Sequence, residues 1–303
     1  MSKFNKLSIV AISSILTACG GGGGGSNVIP GPAAFTSFPL TAGKSVVLSG
    51  DSAQGTYTYD LVGNVLTGIT INPQQSGATF TVTSTSGAFS SYKLTTTSGT
   101  NVTWTSPTDT FGILNSNSNV EAAVSANGQN YVLAGRTSTL GWSYQDFGIW
   151  VTGAGTGSGT YGAASFGAAT PSGSIPTTGT ATYSGVTGGR FGTVGGPAYF
   201  TSSNLSSNVD FAARTLSFTT SSTQQSTTLL SGSFSANTAL DLTGSLSYNA
   251  GSNQFTGNVN NTGSTLTGTA TGRFYGPAAQ EIGGTFGLTG SAGYYGGGFG
   301  AKK

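Results

Sequence analysis

The run Leu240-Asp241-Leu242-Thr243-Gly244-Ser245-Leu246-Ser247-Tyr248 puts Leu240, Leu242, Leu246 and Tyr248 on one face of an extended chain. Asp241, Thr243, Ser245 and Ser247 fall on the other face. A period of two is the mark of a half-buried β-strand. Residues 249–253 (Asn-Ala-Gly-Ser-Asn) carry turn chemistry, and residues 254–259 form the next run. Residues 260–263 turn again, and residues 265–274 read as a further strand with Leu266 on the core side. The pattern is a meander of antiparallel strands joined by tight turns. Upstream, residues 180–186, 208–211, 215–220 and 227–235 read alike; downstream, residues 281–288 and 294–301 do. Eight strands close a small barrel whose interior side chains fill, and closure removes the exposed edges of an open sheet.

Residues 35–155 are also strand-like but less regular, with candidates at 46–48, 56–61, 79–83, 92–97, 102–104, 120–124, 131–135 and 140–151. Residues 156–178 are rich in Gly, Ser, Ala and Thr and read as a connection. The expected fold is all-β: a β-rich handle-like domain over 35–155, the connection over 156–178, and a soluble eight-stranded antiparallel barrel over 179–303. No window carries helical periodicity. Two readings set this barrel apart from one inserted in a membrane: most strands read as shorter than the roughly 9–11 residues a bilayer needs, and the sequence ends Ala301-Lys302-Lys303 without an aromatic terminal residue.

Composition agrees. Of 303 residues, 6% are charged and 51 are glycine, which alone would suit disorder, but 11% are aromatic and interleaved with Thr, Val and Leu. The chain has no histidine and one cysteine. Ser-His-Asp and Cys-His catalysis, zinc sites built on His or Cys, and an intrachain disulfide are therefore excluded. The eight acidic residues are scattered, with no spacing that pairs two of them for glycoside hydrolysis. Neither an enzyme nor a cofactor is expected, and no basic patch offers a nucleic-acid surface.

The cysteine is Cys19, and its surroundings are informative. Lys3 and Lys6 precede a mostly apolar stretch over residues 7–16, too short to span a bilayer. Leu16-Thr17-Ala18-Cys19 resembles the lipobox of bacterial lipoproteins, so residues 1–18 read as a signal peptide and Cys19 as the lipidation site. Residues 19–34 then form an acylated, Gly-rich tether that reaches roughly 20 Å from the membrane. By the sorting rule of such lipoproteins, Gly20 in place of Asp points to the outer membrane. Cleavage removes Lys3 and Lys6 and no acidic residue, so the net charge of +2 falls to about zero in the mature chain.

The most specific stretch is Gly272-Arg273-Phe274-Tyr275-Gly276-Pro277-Ala278-Ala279-Gln280-Glu281-Ile282-Gly283-Gly284-Thr285-Phe286. Pro277 ends a strand because it cannot donate to the ladder, and Gly283-Gly284 would allow a bulge or tight bend. The stretch resembles the signature of the transferrin-binding protein B barrel domain, carried here by Phe274, Tyr275, Gly276, Pro277, Ala279, Glu281, Gly283, Gly284 and Phe286. The likeness extends over about residues 140–303, with one handle and one barrel, as in a single-lobe member.

That resemblance implies a Gram-negative surface lipoprotein that binds a host or environmental protein for iron or haem acquisition. It also implies partnership with an outer-membrane receptor or a surface lipoprotein translocon. The alternative is a structural or interaction lipoprotein of the envelope, complement-regulator binding included, with no iron role. The signature itself reads as structural: Glu281 pairs with Arg273 or Arg190, or accepts backbone N–H groups. Trp104, Trp142 and Trp150 read as core, Tyr294-Tyr295 as a closing strand, and Gly188-Gly189 and Gly195-Gly196 as turns. The ligand-binding residues stay open.

Overall fold

Short polar side chains alternate with apolar ones along most of the chain, and the computed structural model holds strands over most of the residues it describes, which are 44–72, 74–85, 88–114, 119–230 and 233–303. The expected signal peptide of residues 1–18, the acylated Cys19 and the tether of residues 19–34 lie outside the described residues.

The first sheet is built from β1 (Ser45–Asp60), β2 (Val65–Ile69), β3 (Gln75–Thr85), β4 (Ala88–Thr95), β5 (Asn101–Thr105), β6 (Thr110–Ile113), β7 (Val120–Val124), β8 (Tyr131–Gly135), β9 (Gln145–Val151) and β10 (Ser158–Gly167). Its order is β5-β4-β3-β1-β10-β9-β8-β7-β6, with β2 paired to β1. One helical turn, α1 (Thr137–Leu140), links β8 to β9 and ends at Gly141 with φ 64°. The sheet curls around a core of its own that includes Phe80, Tyr92, Trp104, Trp150 and Phe166. Phe80 and Phe166 stack there with ring centroids 4.5 Å apart.

The expected connection over residues 156–178 is corrected by β10, which lies at the centre of the sheet between β1 and β9. Its small residues reflect crowding, not looseness. A Cβ on Gly162 would come within 2.3 Å of the Trp150 ring and 2.6 Å of the Ala53 carbonyl oxygen. The connecting chain therefore shortens to residues 168–179.

The second sheet comprises β11 (Thr180–Gly192), β12 (Ala198–Asp210), β13 (Thr215–Ser226), β14 (Ser235–Ala236), β15 (Leu242–Tyr248), β16 (Gln254–Asn261), β17 (Leu266–Tyr275), β18 (Glu281–Gly290) and β19 (Gly293–Lys302). Neighbours pair antiparallel, β19 returns to β11, and β12 pairs with β13, so all but β14 close an eight-stranded barrel. The expected strand at residues 227–235 is not one: β13 ends at Ser226, and β14 is a two-residue addition to it. Leu240 is buried but belongs to a 3-10 turn before β15. Gly188 and Gly189 lie inside β11, not in a turn.

Leu205, Leu216, Phe218, Leu242, Phe255, Leu266, Phe286 and Phe299 fill the barrel. Thr243, Ser245, Ser247, Thr256, Asn258, Thr267 and Thr269 face outward and are exposed. Apolar inside and hydroxylated outside is the reverse of a lipid-facing barrel. Strand length does not make that distinction, since β11 and β12 each run 13 residues.

The first sheet packs on the barrel through Phe147, Ile149, Val151 and Tyr161, which cluster with Val186, Phe200 and Tyr294. Glycines on the barrel make room for these side chains. A Cβ on Gly188 would lie 2.9 Å from Ile149 Cδ1, and one on Gly298 would lie 3.1 Å from Phe147 Cβ.

Candidate binding site

The signature stretch spans the end of β17, a turn and the start of β18. Phe274 and Phe286 belong to the barrel core, and Ala279 is buried with it. Gly276 turns the chain with φ 84°, and Ala279 also takes a left-handed φ of 55°. Glu281 is wholly buried. Its Oε1 accepts the Ser143 N–H at 2.6 Å, and its Oε2 accepts those of Tyr144 at 2.9 Å and Gln145 at 3.1 Å. Of the three readings left open for it, backbone capping is the one the structure holds. Burial raises its pKa while the three N–H groups and Lys302 pull it down. Arg273 pairs instead with Asp51 of β1.

Gly283 and Gly284 sit in unbroken register with β17 and β19, so the expected bulge is absent. Their smallness has another cause. A Cβ on Gly283 would lie 2.6 Å from Gln145 Oε1 and 2.9 Å from Ser165 Oγ, so β18 needs a glycine there for the first sheet to approach. Tyr275 adds a hydroxyl contact with Ser165 Oγ at 2.9 Å. The signature thus fastens sheet to barrel.

Two further carboxylates interact with it or with each other, the buried Asp146 and the half-buried Glu121. Asp146 Oδ1 accepts the Gly135 and Phe147 N–H groups at 2.9 and 2.7 Å. Burial, together with the charge of Glu121, holds its pKa well above the ordinary range. Glu121 accepts the Tyr92 hydroxyl, and burial pushes its pKa up to about 7.

The opposite end of the barrel is built differently. The β1–β2 hairpin is fastened to the β11–β12 turn: Leu66 N donates to the Gly196 carbonyl at 2.8 Å, and Gly195 N donates to the Leu66 carbonyl at 2.7 Å. Three apolar side chains stand into solvent at these tips, with Val62 97%, Val194 58% and Leu61 53% exposed. Behind them a cavity of about 160 Å³ opens between sheet and barrel, lined among others by Tyr57, Tyr59, Tyr131, Arg190 and Phe200.

Residues 175–303 match the family described as the C-lobe and N-lobe beta barrels of Tf-binding protein B. The second sheet is transferrin-binding protein B-like. Solved structures similar to the chain include a mutant Transferrin Binding Protein B from Haemophilus parasuis Hp5, at 12% identity over 86% of this chain and 77% of that one, with a TM-score of 0.42. Another, of a surface lipoprotein, has 13% identity over 83% and 98% of the two chains and a TM-score of 0.41. The isotype 1 transferrin-binding protein B of serogroup B Neisseria meningitidis has 16% identity over 76% and 52%, with a TM-score of 0.38. No curated protein matches the chain in sequence.

The lobe barrel explains where the sequence-identified residues fall. Its signature residues gather at one end, against the loop before β9, while Arg190 and the tyrosines gather at the other. Sequence reasoning weighed Arg190 only as a partner for Glu281. The available signal was a lone cation in Gly188-Gly189-Arg190-Phe191, where a strand offers charge no obvious place.

Proposed function

We propose that this chain is a lipid-anchored lipoprotein of the outer membrane, displayed at the cell surface, that binds a host or environmental protein for iron or haem acquisition. One observation carries the reading: the match of residues 175–303 to the lobe barrels of Tf-binding protein B. Fold does not by itself give function, so the surface matters. The fastened tips bearing Leu61, Val62 and Val194 supply exposed apolar contact on a rigid base, which suits a protein partner. The lipobox at Cys19 supplies the anchor, and an outer-membrane receptor or a translocon fits the same picture as a further partner.

The test is a pull-down from serum and from haemolysate with residues 26–303, read by mass spectrometry, beside a Val62→Asp/Val194→Asp variant. Specific recovery of an iron- or haem-carrying protein, lost in the variant, supports the reading. Recovery of a complement regulator alone would replace the iron role with the envelope-interaction one, and recovery of nothing above background would count against host ligands altogether.

A further inference from the structure

We propose that the cavity between Tyr57, Tyr59, Tyr131 and Phe200 is a binding site for a six-membered ring bearing a carboxylate, with Arg190 as the anion's partner.

The argument begins with a charge that lacks a counterpart. The Arg190 guanidinium lies over the Phe200 ring, its central carbon 4.0 Å from the centroid. Its Nη1 is buried and has no hydrogen-bond partner. Among the described residues, the ion pair found is Arg273 with Asp51, so no carboxylate answers Arg190. The Tyr294 hydroxyl accepts a hydrogen bond from Arg190, but the neighbouring phenols do not supply the missing charge, since burial holds Tyr57 up to about 12 and raises Tyr294 as well. A buried cationic donor left unpaired is costly, and a planar guanidinium matches a carboxylate in geometry and charge.

The walls fit the rest of the ligand. The Tyr57 hydroxyl donates to the Thr152 carbonyl at 2.7 Å, and the Tyr59 hydroxyl donates to the Asn64 carbonyl at 2.8 Å. With their polar ends committed, both present fixed rings. Tyr131 packs against Phe200 with centroids 5.6 Å apart, which fixes a third wall. The volume of about 160 Å³ is close to the roughly 150 Å³ of a protein cavity that takes up benzene. Ala154 and Gly155 of the β9–β10 turn, with exposed Thr227, form the mouth.

The experiment uses the full chain in detergent, with detergent alone as blank, and follows ligand signals by saturation-transfer NMR. Benzoate is the main probe. Cyclohexanecarboxylate and glucuronate separate aromatic, aliphatic and sugar sources of the same chemistry, and benzamide is the uncharged control. A ligand this small binds with a Kd of about 1 mM at ordinary efficiency. Saturable binding of a carboxylate probe, at least ~10-fold tighter than benzamide, is expected, with a ~10-fold loss in Arg190→Gln. Thr227→Phe, which crowds the mouth and leaves Arg190 in place, should also abolish binding; thermal melts show that both variants fold. The proposal is overturned by no saturation with any carboxylate at ~10 mM, by equal binding of benzamide, or by folded Arg190→Gln that binds as the wild type does. Competition by acidic peptides alone would likewise overturn it in favour of a protein carboxylate.

Discussion

Arg273 Nε donates to Asp51 Oδ2 at 2.8 Å, joining β17 of the barrel to β1 of the first sheet across 222 positions of sequence. Asp51 is nearly buried, while the Arg273 side chain keeps a third of its surface in water. A half-buried pair of this kind lies between exposed pairs and buried ones in strength. Double-mutant cycles with Arg273→Gln and Asp51→Asn should give a coupling of about 1–2 kcal/mol in urea unfolding. A coupling near zero would mean that the two sheets are held by apolar contact alone.

Glu281 is the stronger staple, because one carboxylate satisfies three backbone donors. Glu281→Gln turns one acceptor oxygen into an N–H₂ group facing N–H groups. The expected cost is about 2–3 kcal/mol, with increased amide exchange at Ser143, Tyr144 and Gln145. Wild-type stability and protection in this variant would remove the staple from the account.

Glu121 and Asp146 give stability a pH dependence of defined sign. Both carboxyls titrate higher in the folded protein than in the unfolded chain, Glu121 at about 7 against an ordinary value of 4.5. Between those values the folded state holds a proton that the unfolded state has released, so stability falls as pH rises through that window. The melting temperature should therefore drop as the pH rises from about 4.5 through about 7. Glu121→Gln should flatten the slope and raise the melting temperature at pH 8. A profile that rises over the same range would reverse the assignment.

The proposed lipid anchor at Cys19 gives a cellular prediction. Cys19→Ala should move the protein from the membrane fraction to the soluble fraction, with loss of metabolic labelling by palmitate. Retention in membranes would show that something other than the acyl chains holds it.

The barrel was legible because its strands write their two faces plainly: Leu242, Leu246 and Tyr248 turned inward exactly where residues of opposite character turned out would break the alternation, as Thr243, Ser245 and Ser247 confirm. β10 was not legible, because Ala163, Ala164 and Ser165 are buried on both sides and a doubly buried strand of small residues has no alternation to read. Gly283 was misread for a related reason. Its lack of a side chain answers Gln145 and Ser165, which are remote in sequence, and no local pattern announces such a neighbour. The cavity at Arg190 is assembled from seven separate strands or turns, and only the scarcity of charge hinted that this cation is unusual.

Closure of the barrel depends on β19, which inserts between β11 and β18. The strand made first in the barrel thus waits for the one made last, and until then β11 and β18 each carry an open edge. In any chain delivered progressively from its N-terminus, the barrel cannot assemble strand by strand into a finished object; it completes in a single late event once residues 293–302 are present. Exposed edges recruit other strands, so the interval before that event is when the chain most needs a holding partner.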